Sequence, residues 1–237
     1  HLITGQVIHQ AILGTDYDNP GPRPGGFPYF HGQSKEDSNT ASKDAWNLML
    51  VNIWHPIQKS FRIDLIQLKN GQAIEARAYT DLQAMMDDAR AGGLSPYICS
   101  SYRTTEKQTM LYNNQVNKYK KQGYSEEDAK AEAGKWVAVP GTSEHQIGLA
   151  VDIVSQSYQV LDKQQENTVE QHWLRDNCYK YGFILRYPAE KSDITGIGYE
   201  PWHYRYVGKE AAAEIMEEGK CLEEYLVKIS SNISSNK

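Results

Sequence analysis

Beyond an N-terminal stretch, short apolar runs alternate with amphipathic segments along the chain. LMLVNIWHP reads as a buried strand ended by Pro56, and IDLIQL as a second strand closed by the Asn70-Gly71 turn. In AYTDLQAMMDDARAGG, Leu82, Met85, Met86 and Ala89 recur at helical spacing after a Thr80 cap, and Gly92-Gly93 stops the helix. PYICSSYR predicts a strand, and TTEKQTMLYNNQVNKYKKQG a helix with Met110, Leu111 and Tyr112 on its apolar face. Arg103 falls at that junction. SEEDAKAEAGKW predicts a third helix, with Ser125 as cap and acids in its first turn. A polar loop then enters the apolar strand LAVDIV, which Asp152 interrupts, and a carboxylate in a buried strand needs a partner. TVEQHWLRDNCYKYGF reads as a helix ended by Gly182, FILRYP as a strand carrying Arg186 and Tyr187, and GIGYEPWHYRYVG as a loop and a strand. GKEAAAEIMEEGKCLEEYL predicts one amphipathic helix. The Ser/Asn-rich end is expected to fray.

The domain boundaries follow from this pattern. Residues 1–40 contain DNPGPRPGGFPYFHG, where Pro and Gly forbid regular elements, so they read as an extended arm or linker. Residues 41–228 are expected to form the folded domain and 229–237 a disordered tail. The 237 residues suffice for one sizeable core. With 25 Lys and Arg against 30 Asp and Glu, the net charge of -5 gives no electrostatic reason to expect nucleic acid. No stretch approaches the ~20 apolar residues of a membrane span. The chain begins at His1 rather than Met, so an export signal or anchor is expected to have been removed. Sixteen Tyr against four Phe give a polar, ring-rich surface of the kind that suits a polymer or peptide groove. Cys99, Cys178 and Cys221 are unclustered, allow one disulfide at most and form no zinc knuckle.

Among seven histidines, His1, His9, His31, His55 and His172 read as surface or satisfied core residues. His145 and His203 differ, because each lies beside a carboxylate and a Gly- or Pro-controlled turn at the edge of an apolar strand. On one straight strand His145 and Asp152 would lie roughly 23 Å apart. Gly148 between them permits a bend that lets imidazole and carboxylate converge. In YEPWHYRY, Glu200 and His203 are three apart across Pro201, a spacing that can bring both to one side of a turn. Two histidines and a carboxylate make a catalytic-type zinc set, and a further carboxylate can take a proton from water. The residues alone leave open whether Asp152 or Glu200 is the ligand and whether the site is structural. HExxH is absent, and no Ser, Cys or Thr sits in a GxSxG-type elbow.

SEHQIGLAVD resembles the SxHxxGxAxD motif, and EPWHYRYVG the ExWH motif, of the VanY-type zinc D-alanyl-D-alanine carboxypeptidases. The wider group includes D-Ala-D-Ala dipeptidases, L,D-carboxypeptidases, phage endopeptidases and the amino-terminal signalling domain of hedgehog proteins. The resemblance covers about residues 45 to 222 and implies an α+β fold, a small mainly antiparallel sheet flanked by helices around a single zinc ion. It implies His145, Asp152 and His203 as zinc ligands and Glu200 as the base that deprotonates a zinc-bound water. Arg103, in SSYRT, matches the family's arginine, which would stabilise the oxyanion or bind a terminal carboxylate, and Gln108 matches a glutamine one turn on. Ser143 would bind substrate or position its loop, with turn capping as the alternative, and Trp202 would wall the site or fill core. The implied partners are peptidoglycan stem peptides, handled by a monomer at or outside the bacterial wall. D,D-carboxypeptidase action on pentapeptide stems is expected, with L,D action on tetrapeptides or a non-catalytic wall-binding zinc module as alternatives.

Overall fold

The computed structural model describes residues 45–68 and 70–235; the expected N-terminal arm lies outside them. The described elements are β1 (Leu65–Gln67), β2 (Ala73–Glu75), α1 (Tyr79–Ala91), β3 (Pro96–Ser100), α2 (Thr105–Lys121) and α3 (Glu126–Gly134). They continue with β4 (Ala150–Ser155), α4 (Val169–Asn177), β5 (Phe183–Leu185), the single turn α5 (Ser192–Thr195), β6 (His203–Tyr206), α6 (Lys209–Glu218) and α7 (Leu222–Ser235). β1 and β2 form an antiparallel hairpin, and the remaining strands an antiparallel sheet in the order β3-β4-β6-β5. This is the expected α+β architecture.

Side-chain alternation gives the sheet two different faces. Val151 and Ile153 of β4 and Tyr204 and Tyr206 of β6 enter the main core, with Leu82, Met85 and Met86 of α1 and Leu174 of α4. Asp152 and His203, next in sequence to those residues, therefore point to the other face. A second core joins Ile184 of β5 to Ala212, Ile215, Leu222 and Tyr225 of the two C-terminal helices. Thr104, Ser125 and Thr168 cap α2, α3 and α4 by accepting from the N–H groups of Lys107, Asp128 and Gln171.

Some local expectations are corrected. The LMLVNIWHP run forms no strand: residues Trp46–Leu48 make a 3-10 turn, and the carbonyls of Asn47 and Met49 accept from Arg205 Nη2 at 3.0 and 2.8 Å. A guanidinium takes the place of a neighbouring strand. Thr80 does not cap α1; the Glu75 carboxylate accepts from Arg77 N–H and opens a 3-10 turn, Ala76–Ala78, that runs into the helix. Met110 is 45% exposed, because α2 buries Gln108 and Val116 instead, the latter against Ala129 and Ala133 of α3. β5 stops at Leu185, before Arg186 and Tyr187. The single C-terminal helix is two, broken at Gly219 (φ 60°), and α7 continues through Ser235 into the stretch expected to fray.

Candidate metal centre

Asp152 on β4 pairs directly with His203 on β6 and with Ser100 on β3, so the register alone sets carboxylate and imidazole side by side. His145 arrives from the preceding segment, a 3-10 turn over Glu144–Ile147 that ends at Gly148. Gly148 is left-handed (φ 67°), and its carbonyl accepts from Glu75 N–H at 2.9 Å. A Cβ there would lie 2.5 Å from Ile63 Cδ1 and 3.0 Å from Glu75 N, so both backbone conformation and space require glycine. The turn folds His145 back onto the strand: His145 Nε2 lies 3.3 Å from Asp152 Oδ2 rather than a strand's length away.

His145, Asp152 and His203 each present one donor atom, and these atoms lie within 4.8 Å of one another, all buried. His203 Nδ1 is 3.3 Å from Asp152 Oδ1 and 3.4 Å from Glu200 Oε2. His145 Nδ1 lies 2.7 Å from the Ser101 carbonyl, which can only accept, so that nitrogen donates and Nε2 keeps its lone pair toward Asp152. Asp152 Oδ1 is buried with no hydrogen-bond partner among the described residues. Donors this close without hydrogen-bonding geometry, with an orphaned carboxylate oxygen among them, fit a shared cation. Two imidazoles and a carboxylate that leave a position open suit zinc.

The charges around the cluster are arranged to hold Asp152 ionised. Burial alone pushes its carboxyl up, but His145, His203 and Arg103 more than offset this and bring it below the usual range. His145 is pushed down to about 4, chiefly by burial and then by Arg103. His203 is driven up despite burial, because Asp152, Glu144 and Glu200 surround it. Three carboxylates around one imidazole make the region hospitable to positive charge. Burial, first among several influences, raises Glu200 above its ordinary value.

The other sequence-predicted residues meet here too. Arg103 donates from Nη2 to Asp152 Oδ2 (2.9 Å), from Nη1 to Gln108 Oε1 (3.2 Å) and from Nε to Ser100 Oγ (2.9 Å). Gln108 is fully buried and donates to the Ala138 carbonyl, so it braces Arg103. Ser143 Oγ accepts from His145 N–H at 3.3 Å and caps its turn. The cluster opens into a groove of about 670 Å³ whose walls include Leu111, Asn114 and Lys118 of α2 together with Trp136, Tyr187 and Trp202.

Sequence reasoning missed Glu144, which neighbours His145 but has the partners Arg186 and Arg205. Their Nε and Nη1 atoms each donate to Glu144 Oε1 at 2.7 Å, and none of the three side chains is exposed. Glu144 Oε2 lies 3.4 Å from His203 Nε2. The available signal was charge within predicted strands, Arg186 in LRY and Arg205 in YRY, whereas Glu144 sits in a segment that reads as a polar loop.

The fold and this cluster define an α+β domain built around a buried His/Asp/His set of the metal-binding kind. The family model described as "VanY: D-alanyl-D-alanine carboxypeptidase" matches residues 71–209, and the chain belongs to that family. It is 50% identical over 181 residues to a D-alanyl-D-alanine carboxypeptidase of Enterococcus faecalis, covering 76% of this chain and 66% of that protein. The chain thus spans slightly under two thirds of that relative. A solved structure of VanYB in complex with D-alanine-D-alanine superposes with a TM-score of 0.72 at 51% identity, over 77% of this chain and 98% of that one. A zinc-bound mutant of the vancomycin-resistance D,D-pentapeptidase VanY gives 0.71 at 49% identity, over 77% and 99%. The LD-carboxypeptidase LdcB gives 0.67 at 36% identity, over 77% and 87%.

Proposed function

We propose that this chain is a zinc-dependent D,D-carboxypeptidase that hydrolyses the terminal D-Ala-D-Ala bond of peptidoglycan pentapeptide stems, acting at the bacterial wall. The observation that carries the reading is the convergence of His145 Nε2, Asp152 and His203 Nδ1 on one point, with the Glu200 carboxylate beside it and all four residues lining one groove. Those three residues would hold the zinc ion. When bound, it would polarise the scissile carbonyl and make an attacking water more acidic.

The protein's own groups supply the rest. Glu200 takes the proton of the attacking water and passes it to the leaving D-alanine amine. Burial raises its pKa, which suits a group that must accept and return a proton near neutrality. Arg103 uses three of its five N–H donors on Ser100, Gln108 and Asp152, leaving two for the carbonyl oxygen or the product carboxylate. Gln108 and Ser143 act by holding Arg103 and His145 in place. Greater identity to the VanY structures than to LdcB supports D,D action on a penultimate D-alanine. The likeness to LdcB keeps L,D action on tetrapeptides as the second reading.

Mass spectrometry of pentapeptide and tetrapeptide stems incubated with the protein, with and without chelator and added zinc, tests this. Chelator-sensitive loss of one alanine from the pentapeptide is expected. Cleavage of the tetrapeptide alone selects the second reading, and cleavage of neither overturns both.

A further inference from the structure

Glu144 does not line the groove, yet it is the fully buried carboxylate nearest the outward nitrogen of His203. Its Oε1 is saturated by two guanidinium donors, so Oε2 is left to face the imidazole. An ionised carboxylate can only accept, and the two guanidinium groups 2.7 Å from Glu144 Oε1 are the counter-charges a buried carboxylate needs. With the Nδ1 lone pair turned to the shared metal position beside Asp152, the neutral ring carries its proton on Nε2, where Glu144 Oε2 lies within hydrogen-bonding reach at 3.4 Å. The arginines are themselves anchored. Arg186 grips the Glu223 carboxylate of α7 with both Nη atoms, at 2.9 and 2.7 Å, and Arg205 holds the carbonyls of Asn47 and Met49.

We propose that Glu144 is the positioning residue of the metal centre: through Oε2 it fixes the tautomer and ring orientation of His203 so that Nδ1 is presented to the ion. The proposal rests on His203 being a ligand. Glu144 itself touches neither ion nor substrate. His203 is then held as His145 is, whose Nδ1 donates to the Ser101 carbonyl, except that a charged rather than a neutral acceptor orients the ring.

Glu144→Gln is a sharp test because the arginines dictate how the amide must sit. Two guanidinium donors demand the amide oxygen at the Oε1 position, so the NH2 group faces His203 Nε2 and donates to it. That selects the opposite tautomer, with the proton on Nδ1 pointing at the metal position. Zinc affinity of the purified protein, measured by chelator competition, is expected to weaken ten- to a hundredfold. Glu170→Ala, at a buried carboxylate of α4 that accepts from Ser95 N–H outside this cluster, is expected to lower Tm while leaving zinc affinity within about twofold of wild type. If Glu144→Gln does not fold, Glu144→Asp, which withdraws the carboxylate by one methylene, takes its place with the same expectation. Ring 15N NMR of the zinc-loaded wild type should find the His203 proton on Nε2. Unchanged zinc affinity in the Glu144 variant, equal losses in it and Glu170→Ala, or a proton on Nδ1 would each overturn the proposal. His203→Ala separates the two claims: if it binds zinc as tightly as wild type, the ligand assignment fails and this inference with it.

Discussion

Arg103 donates from Nη2 to Asp152 Oδ2 at 2.9 Å, so the cation facing the groove is bonded to a carboxylate of the metal cluster. The pair fixes the guanidinium relative to the cluster itself, and Ser100 and Gln108 complete the clamp. Lysine offers one compact ammonium in place of the planar fork and cannot serve all these acceptors and a substrate oxygen together. Arg103→Lys is expected to lower kcat about 10²- to 10³-fold, as for removal of one oxyanion donor, with bound zinc near one equivalent. Steady-state kinetics and metal analysis of one preparation check it.

Glu200 and His203 should separate chemistry from metal binding although they are only 3.4 Å apart. Glu200→Ala removes the proposed proton carrier and leaves both imidazoles and Asp152, so zinc is expected to stay and turnover to fall by about 10²-fold or more. His203→Ala removes a donor atom and loses metal and activity together. An active Glu200→Ala protein would overturn its role as base.

How much of this was legible depends on how local each signal is. The strand around Asp152, the loop and strand of EPWHYRY and the capped start of α3 announce themselves within a few residues, and the predicted site residues do come together. Glu144 is otherwise: its arginine partners lie 42 and 61 positions away, and nothing near it in sequence says that it is buried. The same distance effect misleads at LMLVN, whose apolar pattern satisfies a strand template. Two of its nearby carbonyls are claimed by Arg205 from 158 and 156 residues away, so no ladder forms. The fold of helix α6 back into α7 was written at Gly219, but amphipathicity continues across it and hides the break.

Gly148→Ala should couple fold and site. The left-handed backbone costs a β-carbon about 1–2 kcal/mol, and the contacts with Ile63 and the Glu75 backbone add to it. Since this turn carries His145 back to Asp152, the variant is expected to lose about 2 kcal/mol or more of stability and to bind zinc more weakly. Thermal unfolding and chelator competition measure the two effects. A variant with wild-type zinc affinity would detach the turn from the metal geometry.

The three cysteines are free, and burial is the first cause raising each thiol: Cys99 and Cys178 to about 12, Cys221 to about 11. The thiolate is the reactive form, so raised values mean little of it at neutral pH. Labelling by a disulfide reagent at pH 7.5 should be slow in the folded protein and complete in denaturant. Rapid labelling of Cys99, the least buried, would show that its strand opens readily.

Acid should act on the tie between Arg186 and α7. Glu223 accepts from both Nη atoms of Arg186 and from Asn52 Nδ2, and although burial pushes its carboxyl up, the Arg186 charge more than offsets this and holds it below the ordinary range. A carboxyl lowered by folding stabilises the native state at pH values above its unfolded pKa, and that contribution disappears as pH falls through the folded value. Glu223→Gln weakens the same tie at neutral pH. Arg186 keeps Glu144, so the loss should fall below that of a fully orphaned buried charge, at about 2 kcal/mol. Urea unfolding of metal-free wild type and variant should therefore differ most at pH 7 and converge as pH drops below about 4. A constant difference down to pH 3 would mean that packing, rather than the ionised pair, makes Glu223 stabilising.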